Sequence, residues 1–319
     1  MAKGPRKSSD DVPIDDLLDE LARFERKSLP ESTRRAYRSD WSDFRSWCER
    51  RRRIAMPATA ETVALYLTAR SKTHKTSTLS RRLTVIGKIH AAWGKQNPVP
   101  DERVRRVWRG IVHEKGQTTS RKTPTLINDL RKMLMKLPKD LAGIRDRALL
   151  LLGFAGAFRR SELVGLDFGE LQLTEDGFIV HVRRSKTDQT GKGRKIGIPY
   201  GKHVATCPVR AIIEWFERSG IEGGALFRKV SRHGQLEGEW LSAQSVALIV
   251  KRACETAGIP AANFSGHSLR AGLATAAAIA GVEERAIQDQ TGHKSLKVLR
   301  SYIRDGSLFR NNAAKKVGL

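Results

Sequence analysis

A phenol, two imidazoles and a guanidinium fall within one stretch of the chain, Gly266 to Arg304, which reads GHSLRAGLATAAAIAGVEERAIQDQTGHKSLKVLRSYIR. A tyrosine oxygen is a nucleophile, but with an ordinary pKa of about 10 it needs a base or strong charge stabilisation to attack at neutral pH. Tyr302 is the only tyrosine of the stretch, His267 and His293 can take or pass a proton, and Arg270 can offer an anion a fork of hydrogen bonds. Upstream, FRRSEL supplies a second guanidinium at Arg159 and RSKT an ammonium at Lys186. Two guanidiniums suit a phosphate passing through a five-coordinate dianion. Taken singly each residue is ordinary. An HxxR pair also describes a surface salt bridge, a helical tyrosine a core residue with a wet hydroxyl, and a turn lysine a solvated charge. The histidines have no third Cys, His or carboxylate at metal-site spacing, so no metal is expected.

Elements that could hold these groups are legible around them. His267 and Arg270, three apart, emerge from one face of a helix that Gly281 should end as a left-handed cap. A second short helix is expected over Val282 to Thr291, Gly292 turns the chain at His293, and Ser295 can cap a third helix carrying Tyr302. Leu149 to Leu166 (LLLLGFAGAFRRSELVGL) reads as a buried apolar helix that turns at Gly153 to Phe158 and restarts with Arg159, Ser161 and Glu162. The alternation of GFIVHVRR (177–184) and RKIGIP (194–199) predicts a hairpin, with Lys186 in its polar turn.

In this order, Arg159, Lys186, His267, Arg270, His293 and Tyr302 resemble the tyrosine recombinase (phage integrase) family. The N-terminal part, PESTRRAYRSDWSDFRSWC (30–48) and Lys75 to Trp93, is similar to the DNA-holding helices of its Cre-like members. His293 stands where Cre itself has a tryptophan, so the chain follows the commoner pattern of the family. The resemblance implies a Tyr302 3'-phosphotyrosine link and a released 5'-hydroxyl, with Lys186 protonating the leaving oxygen. It gives Arg159 and Arg270 the non-bridging oxygens, His267 the role of base or proton shuttle, and His293 a hydrogen bond to phosphate. Glu162 either orients Arg159 or His267 or is a plain surface carboxylate. No cofactor is implied, because the covalent link conserves the phosphodiester's energy. Site-specific recombination through a Holliday junction is the expected activity, giving excision, integration or inversion. A type IB topoisomerase-like relaxing enzyme and a non-catalytic basic regulator are the alternatives.

Composition points the same way. The 319 residues hold 59 Lys plus Arg against 34 Asp plus Glu, a net charge of +25, which calls for a polyanionic partner. No apolar run approaches a membrane span and no signal peptide precedes Ser8, so a soluble cytoplasmic protein of prokaryotic, phage or plasmid context is expected, nucleoid-associated and without a membrane partner. Cys48, Cys207 and Cys254 lack any paired spacing and should be reduced.

The expected organisation is an N-terminal tail and acidic amphipathic helix (1–28), a helical core-binding domain (29–116), a linker (117–124) and a catalytic domain (125–319). The fold class is mainly α with a small β component: a helical bundle plus a mixed integrase-type domain, closing as a C-shaped clamp on DNA. The acidic helix, with Leu17, Leu18, Leu21 and Phe24 at helical spacing, packs on its own domain or meets a neighbouring protomer. Long helices over Ser32 to Arg53, Ala60 to Arg70, Ser77 to Trp93 and Asp101 to Glu114 carry tryptophan and aliphatic stripes with arginines opposite. Candidate DNA-binding residues are Thr33, Arg34, Arg35, Arg38, Ser80, Arg81, Arg82, Arg105 and Arg106. By the resemblance, Thr33, Arg35, Arg81 and Arg82 would reach the major groove. The expected partner is double-stranded DNA with inverted-repeat sites, bound by a homotetramer. Leu308, Phe309 and Val317 lie on a tail that either folds back or, as the family suggests, docks into the next protomer.

Overall fold

The computed structural model describes residues 30–116, 122–183, 193–238 and 240–307, with side chains to 303. The chain divides into two compact units, Met1–Ser120 and Arg121–Leu319. The acidic segment, Lys186 and the tail residues Leu308, Phe309 and Val317 all lie outside the described residues.

The first unit is a helical bundle of α1 (Glu31–Arg50), α2 (Ala60–Ser71), α3 (Thr76–Ala92) and α4 (Glu102–Lys115). Phe44, Trp47 and Cys48 recur at helical spacing on α1, as do Leu79, Leu83 and Ile86 on α3, and they pack with Tyr66, Leu67, Val104 and Ile111 into one core. Side-chain caps fix two of the starts: Thr59 accepts from the Thr62 N–H ahead of α2, and Asp101 from the Arg103 N–H ahead of α4.

One expectation for this bundle is corrected. Arg82 was expected on the outer face of its helix with Arg81, but it is buried. It shares the core-facing side of α3 with Leu79 and Ile86, and Asp40 and Asp43 on α1 draw it inward. Arg82 Nη1 lies 2.9 Å from Asp43 Oδ2, and Asp43 also takes both nitrogens of the Arg70 fork at 3.0 and 2.7 Å and the Tyr66 hydroxyl at 2.8 Å. The buried phenol of Tyr66 is pushed well above its usual range, first by burial and then by its bond to Asp43. A buried arginine is tolerable here because two carboxylates meet it.

The second unit begins with α5 (Ile127–Met135) and α6 (Leu141–Ala155), followed by the short α7 (Arg160–Val164). Strands β1 (Leu171–Thr174), β2 (Gly177–Val182) and β3 (Arg194–Pro199) form an antiparallel sheet in that order. The β2–β3 hairpin follows the predicted alternation, with Phe178 opposite Ile198 and Val180 opposite Ile196. Strand β1 is an addition: four residues are too few to show a period, and its pairing with β2 across the turn before Gly177 is what makes it a strand. Helix α8 (Pro208–Ser219) buries Trp215, whose indole N–H donates to the Leu226 carbonyl at 2.8 Å. A two-residue hairpin, β4 (Lys229–Val230) with β5 (Leu236–Glu237), precedes α9 (Ala243–Thr256). Three helices then close the described chain: α10 (His267–Ala280), α11 (Glu284–Thr291) and α12 (Leu296–Ser307). The main core gathers Leu149 to Leu152 of α6, Val180 and Ile196 of the sheet, Trp215 of α8 and Val250 of α9.

Candidate active site

Helix α10 starts at His267 and stops at Gly281, whose φ of +84° is the left-handed cap the sequence predicts. Gly292, at φ +61°, ends α11 in the same way and turns the chain toward His293. Ala271, Ala274 and Ala278 on α10 pack with Ile287, Leu299 and Tyr302 in a small separate core. Their methyl groups leave room for the tyrosine ring, and Tyr302 ends up only 9% exposed. Its hydroxyl lies 3.0 Å from His267 Nε2. Gly272 serves the same packing on another side, since a Cβ there would fall 2.0 Å from the Thr125 carbonyl oxygen. That approach lets the Thr125 N–H donate to the Ser268 carbonyl at 2.9 Å, anchoring the segment ahead of α5 against α10.

The guanidiniums converge from three elements. Arg270 is 2% exposed and its Nη1 donates to the Ala157 carbonyl at 2.7 Å. Ala157 holds a positive φ of 47°, unusual for a residue with a side chain, in the turn between α6 and α7. Arg270 Nη2 is buried without a hydrogen-bond partner among the described residues. Arg159, at the N-cap of α7, donates from Nη1 to Glu162 Oε1, from its backbone N–H to Glu162 Oε2 at 3.0 Å, and from Nη2 to the Gly292 carbonyl at 3.4 Å. Burial alone would raise the Glu162 carboxyl, but the bonds from Arg159 and the charges of Arg159 and Arg194 outweigh it and hold Glu162 below its usual range. Glu162 therefore braces Arg159, and it also pairs with Arg194.

Arg194, the first residue of β3, was not among the expected site residues. Its Nη2 reaches Glu162 Oε2 at 3.3 Å and its Nη1 donates to the Gln290 carbonyl at 3.0 Å. A Cβ at position 292 would fall 2.7 Å from that Nη1 and would displace the Arg194 side chain, and the positive φ there favours glycine in any case. The signal was present in RKIGIP, where Arg194 shares a strand face with the buried Ile196 and Ile198. Two guanidiniums thus meet one carboxylate, and the charge of Arg270 lies near all three, a local surplus of positive charge that suits an anion.

That surplus acts on the histidines. His293 is pushed down to about 3, by burial first and then by Arg270 and Arg159. His267 keeps an exposed edge, and its pKa is lowered by partial burial, then by Arg270, Arg160 and Arg159. Both imidazoles are neutral at pH 7, so His267 Nε2 can accept the phenolic proton. The Thr291 hydroxyl sits 2.6 Å from the Ile287 carbonyl and 2.7 Å from His293 Nδ1. A hydroxyl has one proton; donating it to Ile287 leaves Thr291 accepting from His293, which assigns the His293 proton to Nδ1.

Of the expected catalytic residues, the structure brings Arg159, His267, Arg270, His293 and Tyr302 together with Glu162. Lys186 lies outside the described residues. On the helical bundle, Arg35, Arg38, Ser80, Arg81, Arg105 and Arg106 are exposed and Thr33 is partly so. Arg34 is turned back onto Glu31 within its own helix, and Arg82 is buried as described above. Among the described residues no cluster of three His, Cys, Asp or Glu could hold a metal ion, and no helix is long and apolar enough to cross a membrane.

A tyrosine hydroxyl on a neutral histidine, amid guanidiniums braced by one buried glutamate, has the chemistry that phosphoryl transfer to a protein nucleophile needs. The family described as the phage integrase family matches residues 125–307. Over 295 residues the chain is 40% identical to an integrase/recombinase XerD homolog of Selenomonas ruminantium, covering 91% of this chain and 86% of that one. It is 25% identical over 323 residues to recombinase Cre of Escherichia phage P1, covering 92% of each. Its fold is similar to that of a lambda integrase tetramer bound to a Holliday junction, with a TM-score of 0.58 and 18% identity over 90% of this chain and 79% of that one. The chain belongs to the phage integrase family and is a site-specific tyrosine recombinase, an enzyme that cuts and rejoins DNA.

Proposed function

We propose that Tyr302 attacks the scissile phosphate while His267 Nε2 takes its proton. The bond from tyrosine oxygen to phosphorus forms as the bond to the 5'-oxygen breaks, and Lys186 supplies the proton that the leaving 5'-oxygen needs. Arg159 and Arg270 hold the non-bridging oxygens, and their fixed charge offsets the extra negative charge of the five-coordinate state. His293 adds a hydrogen bond to the phosphate from Nε2 once the bound anion has raised its proton affinity. Glu162 and Arg194 fix Arg159 from behind. A 5'-hydroxyl from a second strand reverses the same steps, so strands exchange without a nucleotide cofactor. The single observation that carries this reading is the 3.0 Å contact between His267 Nε2 and the Tyr302 hydroxyl.

Residues 29–116 are assigned to DNA binding, with 117–124 as linker and 125–319 as the catalytic part. Arg35, Arg38, Ser80, Arg81, Arg105 and Arg106, with Thr33, supply the contacts to duplex DNA, and their exposure supports this. The target is a pair of inverted-repeat sites occupied by a homotetramer, supported by the tetrameric lambda integrase whose fold this chain resembles. The setting is the cytoplasm of a prokaryotic cell, on chromosomal, plasmid or phage DNA.

Tyr302→Phe removes only the nucleophilic oxygen. The variant should bind target duplex with unchanged affinity and form no covalent adduct on a denaturing gel. An adduct formed by the Phe variant would refute the nucleophile assignment.

A further inference from the structure

Asp40 is an anomaly on α1. It occupies the buried stripe that also carries Phe44 and Trp47, and it is 3% exposed. Its carboxylate takes two nitrogens of one guanidinium on α3: Arg81 Nε lies 2.6 Å from Oδ2 and Arg81 Nη2 lies 3.0 Å from Oδ1. Arg82, the next residue, places its Nε 3.6 Å from Oδ1 and adds a second positive charge beside the carboxylate. Arg81 itself is not buried, with 48% of its side chain exposed.

A guanidinium has five N–H groups, and this arrangement spends the Nε–H and one Nη2–H on the side facing Asp40. Both Nη1–H groups and the other Nη2–H are left at the far end, with no other hydrogen-bond partner shown among the described residues. That end-on pair matches the O6 and N7 acceptors of guanine in the major groove. Phosphate oxygens also accept a fork, so geometry alone does not choose between them. The buttress does. A carboxylate behind the guanidinium cancels much of its charge, which weakens attraction to a phosphate, whereas base reading depends on aim. Fixing a long side chain before binding also removes the entropy it would otherwise lose on the DNA.

We infer that Asp40 is a specificity-determining positioning residue, which locks Arg81 so that its outward fork reads one guanine in each arm of the target DNA. The inference rests on the proposal that the exposed α1 and α3 residues face DNA.

The test uses the full-length protein and a library of duplexes with a randomised central segment, sequenced after selection by wild type, Arg81→Ala, Arg81→Lys and Asp40→Asn. The wild-type motif should contain a guanine whose preference drops by about 5- to 100-fold in Arg81→Ala, the range expected for one bidentate base contact. Arg81→Lys keeps the charge and leaves Asp40 paired with Arg82, yet should lose the same preference. Asp40→Asn should weaken discrimination at that same position several-fold, with the rest of the motif intact. Thermal unfolding of each variant separates this from loss of the bundle. If Arg81→Ala weakens all sequences equally and lowers the log-log salt slope by about 0.9, Arg81 holds a phosphate and the inference falls. Full discrimination retained by Asp40→Asn also overturns it. If neither Arg81 variant changes motif or affinity, the assignment of this face to DNA fails instead, and the inference with it.

Discussion

In the mechanism proposed above the chemistry turns on His267, which must be neutral to receive the Tyr302 proton. Its pKa is lowered by partial burial and by Arg270, Arg160 and Arg159. A base with a lowered pKa stays deprotonated to more acid pH, so activity is full above the ordinary value of about 6.5 and is lost only as pH falls through the lowered one. The second-order rate of covalent adduct formation, at DNA concentrations below saturation, should therefore show its acid limb below pH 6.5. An acid limb at or above that value would remove His267 from the role of base. At this scale the residue types and their order were readable, since a tyrosine, two histidines and two arginines announce phosphoryl transfer wherever they meet. Arg194 went unread: the alternation puts it on the face of Ile196 and Ile198, but the carboxylate that holds it there, Glu162, comes from a distant part of the chain.

Helix α10 carries both His267 and Arg270, so its placement sets two of the active groups at once. Gly272 lies on the turn after Arg270, where a Cβ would meet the Thr125 carbonyl oxygen at 2.0 Å. Gly272→Ala must push the helix or the segment ahead of α5 aside, and overpacking of this kind costs roughly 1–3 kcal/mol. The variant should unfold several degrees lower and form adduct at least about tenfold more slowly, since an ångström of misplacement near a reacting phosphate can cost as much as a hundredfold. An unchanged melting midpoint would show that the close approach is dispensable. The helix itself was legible from its alanine run and from Gly281, and the hairpin from its alternation. The need for glycine at position 272 was not legible, because it arises from a backbone that approaches from elsewhere in the chain.

For the whole molecule, the excess of lysine and arginine suits a DNA partner, and the homotetramer proposed above needs a contact that links one subunit to the next. The sequence beyond Asp305 carries Leu308, Phe309 and Val317 among polar residues. As a docking element between protomers it would couple one Tyr302 helix to the next subunit. A chain ended after Asp305 should bind a single target arm nearly as well as the full chain, lose cooperative occupancy of paired arms, and lose strand exchange. Gel-shift titrations on one-arm and two-arm duplexes read the first two effects and a recombination assay the third. Recombination by the shortened chain at the full-length rate would show that the tail is not the assembly element.

What the sequence determined by itself was whatever depends on local pattern. The helices of the bundle follow from apolar spacing, the turns at Gly281 and Gly292 from glycine's access to positive φ, and the polyanionic partner from net charge. Tertiary structure decided which charges face solvent and which face one another. Arg81 and Arg82 are adjacent and alike in sequence, yet one is half-exposed and the other buried, because carboxylates on α1 reach α3 only when the two helices pack. In the same way Glu162 became the brace of Arg159 and Arg194 rather than a surface carboxylate. An ion pair between distant elements leaves no period in the chain, since its energy depends on a separation that only the fold creates.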